Sequence, residues 1–287
     1  MTRMRVLGSL LLVLGLAGCA TTRLPAHAGP QPDDNLNAVA WTQTSVEHDL
    51  IYRELFRIAS ERLAMALADP GWDALPPGDR DRDFADLPPA VIVDVDETML
   101  DNMRYQARLV RDGRQYDGPS WDAWCEERAA TALPGAAEFA RKAAAAGVTV
   151  FYVTNRGQTL EAATLDNLRA TGFPVDAGER VFLGQGMAVD GCEPAGRSDK
   201  SCRRRLVGRS HRVLLQIGDQ LGDFVTLHGA TPAERRAVVA PFADWFGQRW
   251  LLLPNPTYGS WESVLARSVP GETTDQRRAQ KLAELSY

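Results

Sequence analysis

A short apolar run rich in β-branched residues ends directly in acidic side chains. Its residues, Ala90-Val91-Ile92-Val93, are followed at once by Asp94-Val95-Asp96-Glu97-Thr98. Apolar residues bounded in this way by polar ones are typical of a strand that is buried on both faces. Similar short runs recur at residues 148–153, 181–183, 213–217 and 250–253. A chain built this way has to cover its strands from both sides of a sheet.

Helical stretches lie between the apolar runs, at residues 136–146 and 160–170. Each is closed by a glycine, Gly147 or Gly172, which is the residue that most often ends a helix. Strands that alternate with helices predict an α/β fold, in which a Rossmann-like parallel sheet has helices on both faces. The apolar content of 45%, which includes seven Trp, is sufficient for a core of this kind.

Two further segments flank the first strand. Ahead of it, apolar residues recur at intervals of three and four, which predicts one long packing helix from Val39 to the stop at Asp69-Pro70-Gly71. These residues are Tyr52, Phe56, Ala59, Leu63 and Ala66. Behind the strand, residues 100–131 are polar and rich in Tyr and Trp. We predict that they form an inserted, mainly helical cap.

The first residues of the chain have the features of a secretory signal. Two arginines precede an apolar run at residues 6–16, which is shorter than the roughly 20 residues that a membrane-spanning helix needs. The run ends in Leu16-Ala17-Gly18-Cys19, which resembles the lipobox of bacterial lipoproteins, where the Cys is acylated with palmitate and related chains. The alternative is an ordinary signal peptide with a chance Cys. Ala20, rather than Asp, follows Cys19 and favours sorting to the outer membrane.

These features predict the domain organisation of the chain. Residues 1–18 are a lipoprotein signal peptide, residues 19–36 are a flexible tether, and residues 37–287 form one catalytic or binding domain. The chain has 32 basic and 37 acidic side chains and a net charge of −5, and loss of the two arginines of the signal lowers this to −7. This balance excludes a protein that coats a nucleic acid polymer, and the composition excludes a disordered chain.

Chemically active side chains follow several of the predicted strands. Asp94 and Asp96 come after the first strand, and Asp219 and Asp223 come after the fourth. Thr154-Asn155-Arg156 follows the second strand, and Lys200 lies in the stretch before the fourth. Ligands bind beyond the carboxyl ends of parallel strands, so we expect these groups to share one site. Several carboxylates that meet there require a cation, and oxygen ligands suit Mg²⁺.

These motifs resemble those of a known superfamily. Asp94-Val95-Asp96-Glu97-Thr98, Thr154, Lys200 and Gly218-Asp219 with Asp223 are similar to the four motifs of the haloacid dehalogenase phosphotransferases. The chain looks more closely like the class C acid phosphatases of the lipoprotein e(P4) family, which are outer-membrane 5′-nucleotidases. That likeness runs through residues 41–47, 93–102, 134–139, 151–156, 199–201 and 253–262.

The resemblance implies a role for each motif residue, and phosphoryl-transfer chemistry requires the same roles. Asp94 attacks phosphorus to form an aspartyl-phosphate, and Asp96 is the general acid and then the general base. Asp94, Asp219 and the backbone carbonyl of Asp96 hold Mg²⁺. Thr154 and Lys200 bind and neutralise the phosphate. Asp223 is expected to hydrogen-bond to metal-bound water or to Lys200.

Other residues are assigned to substrate binding or to structure. Tyr116 and Tyr258 match the rings that face the nucleobase in the e(P4) family, so the resemblance implies nucleoside monophosphate substrates. The alternative is that both rings only pack the cap on the core. Asn155 and Arg156 are predicted to contact substrate, and Glu97 is predicted to have a local structural role. The resemblance also implies a homodimer.

The cysteines and the basic residues near Lys200 leave alternatives open. Cys192 and Cys202 are either a disulfide that closes a short loop near Lys200 or two buried thiols. The nearby arginines are predicted to form mostly a solvated helix face; they are Arg197, Arg203, Arg204, Arg205, Arg209 and Arg212. The four His residues, at positions 27, 48, 211 and 228, have no spacing typical of a zinc site.

Two rival functions remain open at this point. One is another reaction of the same superfamily, that of a phosphomutase or a phosphonatase. Hydrolysis is favoured over it because an exported protein has little access to sugar bisphosphates and because the cap has no Lys placed to form a Schiff base. The other is a non-catalytic, adhesive surface lipoprotein. Such a protein would be free to lose Asp94 or Asp96, and both are present.

Overall fold

A five-stranded parallel sheet lies at the centre of the computed structural model, which describes residues 33–228, 231–265 and 272–286. The strands of these residues are β1 (Pro89–Val93), β2 (Leu100–Asp101), β3 (Thr131–Ala132), β4 (Thr149–Gly157), β5 (Phe182–Gln185), β6 (Arg212–Gly218) and β7 (Trp250–Leu252). The sheet has the order β5-β4-β1-β6-β7, and all neighbours in it are parallel. The predicted α/β fold with a parallel sheet is therefore confirmed.

Helices cover both faces of this sheet. The helices of the described residues are α1 (Leu36–Thr44), α2 (Val46–Ala68), α3 (Met103–Asp112), α4 (Gly118–Glu127), α5 (Ala136–Ala145), α6 (Glu161–Ala170), α7 (Ser201–Ser210), α8 (Pro232–Val239), α9 (Ser260–Ser263) and α10 (Thr274–Ala283). The connections through α5 and α6 run from β1 outward to β5, whereas α7 leads back across β1 to β6. Because such connections are right-handed, α5 and α6 lie on one face and α7 lies on the other. Helix α2 packs on α5 and β6.

The strands β1 and β6 are mostly apolar because both of their faces are covered. Val91 and Val93 of β1 have no exposed surface, and all residues of β6 are buried. Gln216 is a polar residue of β6, and its amide donates a hydrogen bond of 2.7 Å to the carbonyl of Ala74. Its other polar atom, Oε1, has no partner among the described residues. The strand ends that carry acids are thus fixed by the best-buried part of the molecule.

The N-terminal helical segment differs from the prediction of one long helix. The chain breaks at Ser45, whose backbone is extended with ψ of 136°, so that α1 and α2 are separate helices. The Ser45 hydroxyl accepts a hydrogen bond of 3.1 Å from the backbone N–H of His48 and caps α2. The predicted apolar face of α2 is buried; Tyr52, Phe56, Ala59, Leu63 and Ala66 are at most 4% exposed.

The predicted cap corresponds to a helical insert between two short strands. Strands β2 and β3 pair antiparallel at its base, and α3 and α4 lie between them. The Asp117 carboxylate caps α4 by accepting a hydrogen bond of 2.9 Å from the backbone N–H of Ser120. The ring of Tyr105 packs edge-on against Trp121, with centroids 5.2 Å apart. The insert begins only a few residues after Asp96 and therefore stands beside the acidic strand ends.

The N-terminal predictions fall mostly outside the described residues. The signal at 1–18, the lipidation site Cys19 and the tether up to residue 32 all lie there. Residues from Asp33 onward form one compact unit, and α1 begins at Leu36, the last residue of the predicted tether. Among the described helices, none combines the length and the apolar character that crossing a membrane requires.

Of the two alternatives for Cys192 and Cys202, the structure forms the disulfide. The Cα atoms of the pair lie 5.6 Å apart. Cys202 is in the first turn of α7, two residues after Lys200, and the bond closes the loop that leads to that lysine. Cys125, in α4, is a free buried thiol.

Candidate active site

The site lies where the strands β1, β4 and β6 end. Asp94 follows β1, and its backbone N–H donates a hydrogen bond of 2.9 Å to the carbonyl of Ile217 on β6. Asp219 follows β6, and Thr154 belongs to the end of β4. All three residues are buried. The parallel pairing of the strands therefore brings together residues that are far apart in the sequence.

Lys200 connects two of the carboxylates. Its ammonium group forms an ion pair with Asp94 and another, of 2.7 Å, with Asp223. Lys200 is only 3% exposed, and although burial acts to lower its pKa, Asp223 and Asp94 raise the pKa above its ordinary value. The expected contact between Asp223 and Lys200 is thus present. For Asp94, burial raises the pKa well above its usual range, although Lys200 acts in the opposite direction.

Asp219 is oriented by two amide side chains. Its Oδ2 accepts hydrogen bonds from Gln220 at 2.7 Å and from Asn255 at 2.8 Å, which leaves Oδ1 directed toward Thr98 at 3.5 Å. Burial and the charge of Asp223 raise the pKa of Asp219 to about 7. Gly218 precedes it because a Cβ atom at that position would overlap the Asp223 carboxylate. A side chain there would push Asp223 out of the site.

The second acid of the motif, Asp96, is held by a buried arginine. Arg156 donates from Nε to Asp96 Oδ1 at 2.9 Å, and Asn102 donates to the same oxygen at 2.9 Å. The other oxygen, Oδ2, accepts from the hydroxyl of Thr154 at 3.4 Å. Asp96 is less buried than Asp94 and lines the cavity described below. It is therefore a fixed carboxylate that faces both solvent and Thr154.

Comparison with known proteins assigns this arrangement to a family. The family model described as HAD superfamily, subfamily IIIB (Acid phosphatase) matches residues 24–261. The chain belongs to this family. It is similar to the class C acid phosphatase from Bacillus anthracis, with 30% identity and a TM-score of 0.75, over 88% of this chain and 97% of that one. The structure of that protein with tungstate bound is similar to the same extent.

A curated relative is more distant. Acid phosphatase 1 from Solanum lycopersicum is 28% identical over 134 residues, which are 47% of this chain and 51% of the relative. The chain therefore matches about half the length of that relative. The family match confirms the predicted resemblance and the predicted fold. At the level of the family it also confirms the predicted enzyme class, a phosphoric monoester hydrolase.

The carboxylates fit a divalent cation. Oxygen atoms of Asp94, Asp219 and Asp223 all lie within 4.8 Å of one another. When ionised, these three carboxylates face the single ammonium of Lys200 and leave a net charge of −2, which one divalent cation balances. The raised pKa values of Asp94 and Asp219 show how unfavourable this charge is without a cation. The donor set consists of hard oxygen atoms, as Mg²⁺ prefers.

The predicted substrate contacts divide into two groups. Tyr116, Tyr258 and Asn155 line one cavity of about 830 Å³ together with Asp94, Asp96, Lys200, Asp219 and Asp223. Tyr116 is 63% exposed, so it is free to contact a ligand. Arg156, in contrast, is 1% exposed and is bonded to Asp96, Asn102 and Thr164. This placement corrects the expectation that Arg156 contacts substrate, because its guanidinium lies behind Asp96.

The predicted solvated face of arginines is also wrong in part. Arg203, Arg204 and Arg212 are at most 8% exposed. Arg204 pairs with Asp79 at 2.7 Å and donates to the carbonyl of Gly222 at 3.0 Å, beside Asp223. Arg205 and Arg209 do lie near the surface, where both pair with Asp81. A guanidinium can be buried where carbonyl and carboxylate oxygens accept its hydrogen bonds. Those oxygens come from distant segments, so the local sequence does not reveal them.

The sequence predicted only a local structural role for Glu97, but its contacts extend to residues that are distant in the chain. Its backbone has φ of 56°, and its carboxylate accepts a hydrogen bond of 2.9 Å from the backbone N–H of Asn102. The hydroxyl of Tyr258 donates to the other oxygen. Tyr52 of α2 donates to the Glu97 carbonyl at 2.8 Å. Glu97 therefore connects residues 94–98, here called the acidic loop, to Tyr258 in the cavity wall and to the N-terminal helix α2.

Proposed function

We propose that this protein hydrolyses phosphate monoesters through an aspartyl-phosphate on Asp94. One observation carries the proposal: Asp94 is a buried carboxylate that lines an open cavity and is paired with Lys200, with a second carboxylate, Asp96, two residues away. A nucleophile needs this combination of access and fixed orientation. Membership of an acid phosphatase family supports the same chemistry.

The two acids divide the reaction between them. A carboxylate oxygen of Asp94 forms a bond to phosphorus while the bond from phosphorus to the ester oxygen breaks, and Asp96 donates a proton to the departing alcohol. Water then attacks phosphorus, Asp96 accepts its proton, and Asp94 is released with inorganic phosphate. Lys200 and the hydroxyl of Thr154 hold the phosphate during both steps, since Lys200 contacts Asp94 and Thr154 contacts Asp96.

We propose Mg²⁺ as the cation of the site. Asp94, Asp219 and the backbone carbonyl of Asp96 would hold it, and Asp223 lies close enough to contribute. When bound, the ion supplies positive charge that offsets the charge of the phosphate oxygens beside Asp94. The buried carboxylates with raised pKa values support this assignment.

We propose nucleoside monophosphates as the substrate class. Tyr116 on the insert and Tyr258 on the loop after β7 line the cavity that holds the acids, and a base can stack on either ring. A volume of about 830 Å³ is sufficient for a nucleotide. Because each base has a stacking face, we expect little discrimination between bases.

The proposed location is the outer membrane, with the protein facing the periplasm or exposed at the surface. Acyl chains on Cys19 would anchor it, because more than one chain gives stable attachment. Labelling of the full chain, but not of a Cys19→Ser variant, by radioactive palmitate would support the anchor.

We also propose that the protein is a homodimer. The family resemblance supports this oligomeric state, and light scattering of the purified protein would test it.

The test of the proposed activity uses protein purified without residues 1–19. Hydrolysis of p-nitrophenyl phosphate is expected with Mg²⁺ and is expected to stop when EDTA removes the metal. The Asp94→Asn variant is the control for a contaminating phosphatase. Inactivity of correctly folded protein in the presence of Mg²⁺ would contradict the proposal and leave the non-catalytic binding function.

A further inference from the structure

Arg203, in the first turn of α7, is a buried cation that forms no direct ion pair with a carboxylate of the described residues, although the charges of Asp94, Asp199 and Asp223 act to raise its pKa. It is 4% exposed, and its hydrogen-bond acceptors are all uncharged. The adjacent Arg204, by contrast, is paired with Asp79 at 2.7 Å. Burial lowers the pKa of Arg203 to about 10. A buried charge without an adjacent counter-ion is costly, so the contacts of this guanidinium call for an explanation.

Those contacts connect two segments of the site. Arg203 donates from Nη1 to the carbonyl of Thr154 and from Nη2 to Asn155 Oδ1 at 2.8 Å, both at the end of β4. The same Nη2 donates to the carbonyl of Asp199 at 2.9 Å, immediately before Lys200. Thr154 and Lys200 are the two groups that hold the phosphate in the proposed function. The guanidinium therefore spans the gap between them from the buried side.

Asn155 completes this connection. Its side-chain oxygen accepts from Arg203, and its side-chain nitrogen donates to the carbonyl of Ser198 at 3.2 Å. Both ends of the amide are thus used, and the orientation of the side chain is fixed. Since Asn155 lines the cavity, its position there depends on Arg203.

We propose that Arg203 is a positioning residue, whose guanidinium fixes the Thr154–Asn155 segment against the Asp199–Lys200 segment and so sets the spacing of the phosphate-binding groups before substrate arrives. The inference rests on the proposed function. It requires the forked, planar geometry of arginine, because a lysine ammonium keeps the charge but does not reproduce the fork that reaches these acceptors.

The test compares Arg203→Met and Arg203→Lys with the native full chain in detergent. Arg205→Met is the matched control, since Arg205 is on the same helix but pairs with Asp81 near the surface. The measurements are the melting temperature, kcat and KM for p-nitrophenyl phosphate, and the Kd of inorganic phosphate by calorimetry in the presence of Mg²⁺. We expect both Arg203 variants to lose about 10- to 100-fold in kcat/KM and to bind phosphate more weakly, and the control to match the native chain.

Two outcomes would overturn the proposal. Native kinetics and phosphate affinity in Arg203→Lys would show that charge alone is sufficient. A lowered melting temperature in both variants, with unchanged kcat, KM and phosphate affinity of the folded protein, would assign Arg203 to stability only. If Arg203→Met does not fold, Arg203→Lys decides the question by itself. A native chain that binds phosphate without hydrolysing esters would contradict the proposed function, and the phosphate affinities would still test the role of Arg203.

Discussion

The hydroxyl of Tyr258 donates a hydrogen bond to the buried carboxylate of Glu97. Glu97 lies one residue after Asp96, so a ring that lines the cavity is attached to the loop that carries both proposed catalytic acids. Burial raises the pKa of Glu97 well above its usual range. The position of the ring and the conformation of the acidic loop therefore depend on each other.

This relationship separates two contributions of Tyr258. Tyr258→Phe keeps the ring but leaves the Glu97 carboxyl without one of its partners, so we expect a loss of about 1–3 kcal/mol in the free energy of unfolding and an unchanged preference for nucleotides. Tyr258→Ala also removes the ring, and kcat/KM for a nucleoside 5′-monophosphate should fall about tenfold more than for p-nitrophenyl phosphate. Equal losses for both substrates would assign the ring to structure.

Tyr116 allows the same test without an effect on stability. It is 63% exposed, so we expect Tyr116→Ala to retain the native melting temperature. Steady-state kinetics should show a selective loss for the nucleotide, because a base loses one of its stacking surfaces. Native kinetics of Tyr116→Ala with both substrates would show that Tyr116 does not contact the substrate.

Replacement of the two acids should cause different defects. Asp94→Asn is expected to abolish turnover, because an amide does not attack phosphorus and is a weaker metal ligand. Asp96→Asn retains the nucleophile and should still bind a phosphate analogue, although it turns over very slowly. It also leaves Arg156 buried without a carboxylate partner, which we expect to lower the free energy of unfolding by about 3 kcal/mol. Calorimetric titration with tungstate and chemical denaturation measure the two effects, and equal loss of anion binding in both variants would contradict the assignment.

The stability of the metal-free protein should depend on pH through Asp219. Its pKa is about 7 in the folded state against 3.8 for an unperturbed carboxyl, so the folded state binds the proton more tightly. The resulting stabilisation is complete below about pH 4 and is lost as the pH rises through 7. In EDTA, the melting temperature should therefore fall between pH 5.5 and pH 7.5.

Addition of Mg²⁺ should reverse this fall. The ion binds the ionised carboxylates, so it should raise the melting temperature more at pH 7.5 than at pH 5.5. Asp219→Asn is the control, and in EDTA its melting temperature should depend less on pH. A larger effect of Mg²⁺ at the lower pH would contradict the proposed metal site.

Gly218 should not tolerate a methyl group. The Cβ atom of Gly218→Ala would overlap the Asp223 carboxylate, so Asp223 would have to leave its ion pair with Lys200. We expect activity to fall by at least about tenfold and the melting temperature to drop. Gly222→Ala, where the nearest atom to the new methyl is 4.0 Å away, is the matched control. Native activity in Gly218→Ala would show that the position of Asp223 does not matter for catalysis.

The sequence was sufficient to predict the site residues that lie at the ends of strands. Asp94, Thr154 and Asp219 follow short apolar runs, and parallel pairing brings such positions together whatever the loops do. The role of Arg156 and the burial of Arg203 depend instead on oxygen atoms supplied by distant segments. One local signal was present: Arg203 and Arg204 lie three and four residues after Lys200, the spacing that puts side chains on one helix face. The break at Ser45 was missed for another reason: the predicted helix was started at Val39 although its apolar periodicity begins only at Tyr52, and the common N-cap residue Ser45 lies between them.

The strand order has a consequence for how the nascent chain matures. β1, the first strand of the sheet to be synthesised, lies in its middle, between β4 and β6. One of its edges stays without a neighbour until the chain has been extended to Arg212–Gly218. An apolar strand with an open edge is prone to pair with other chains. Fragments that stop between β4 and β6 should therefore aggregate, and a molecular chaperone would be most useful during synthesis of this interval.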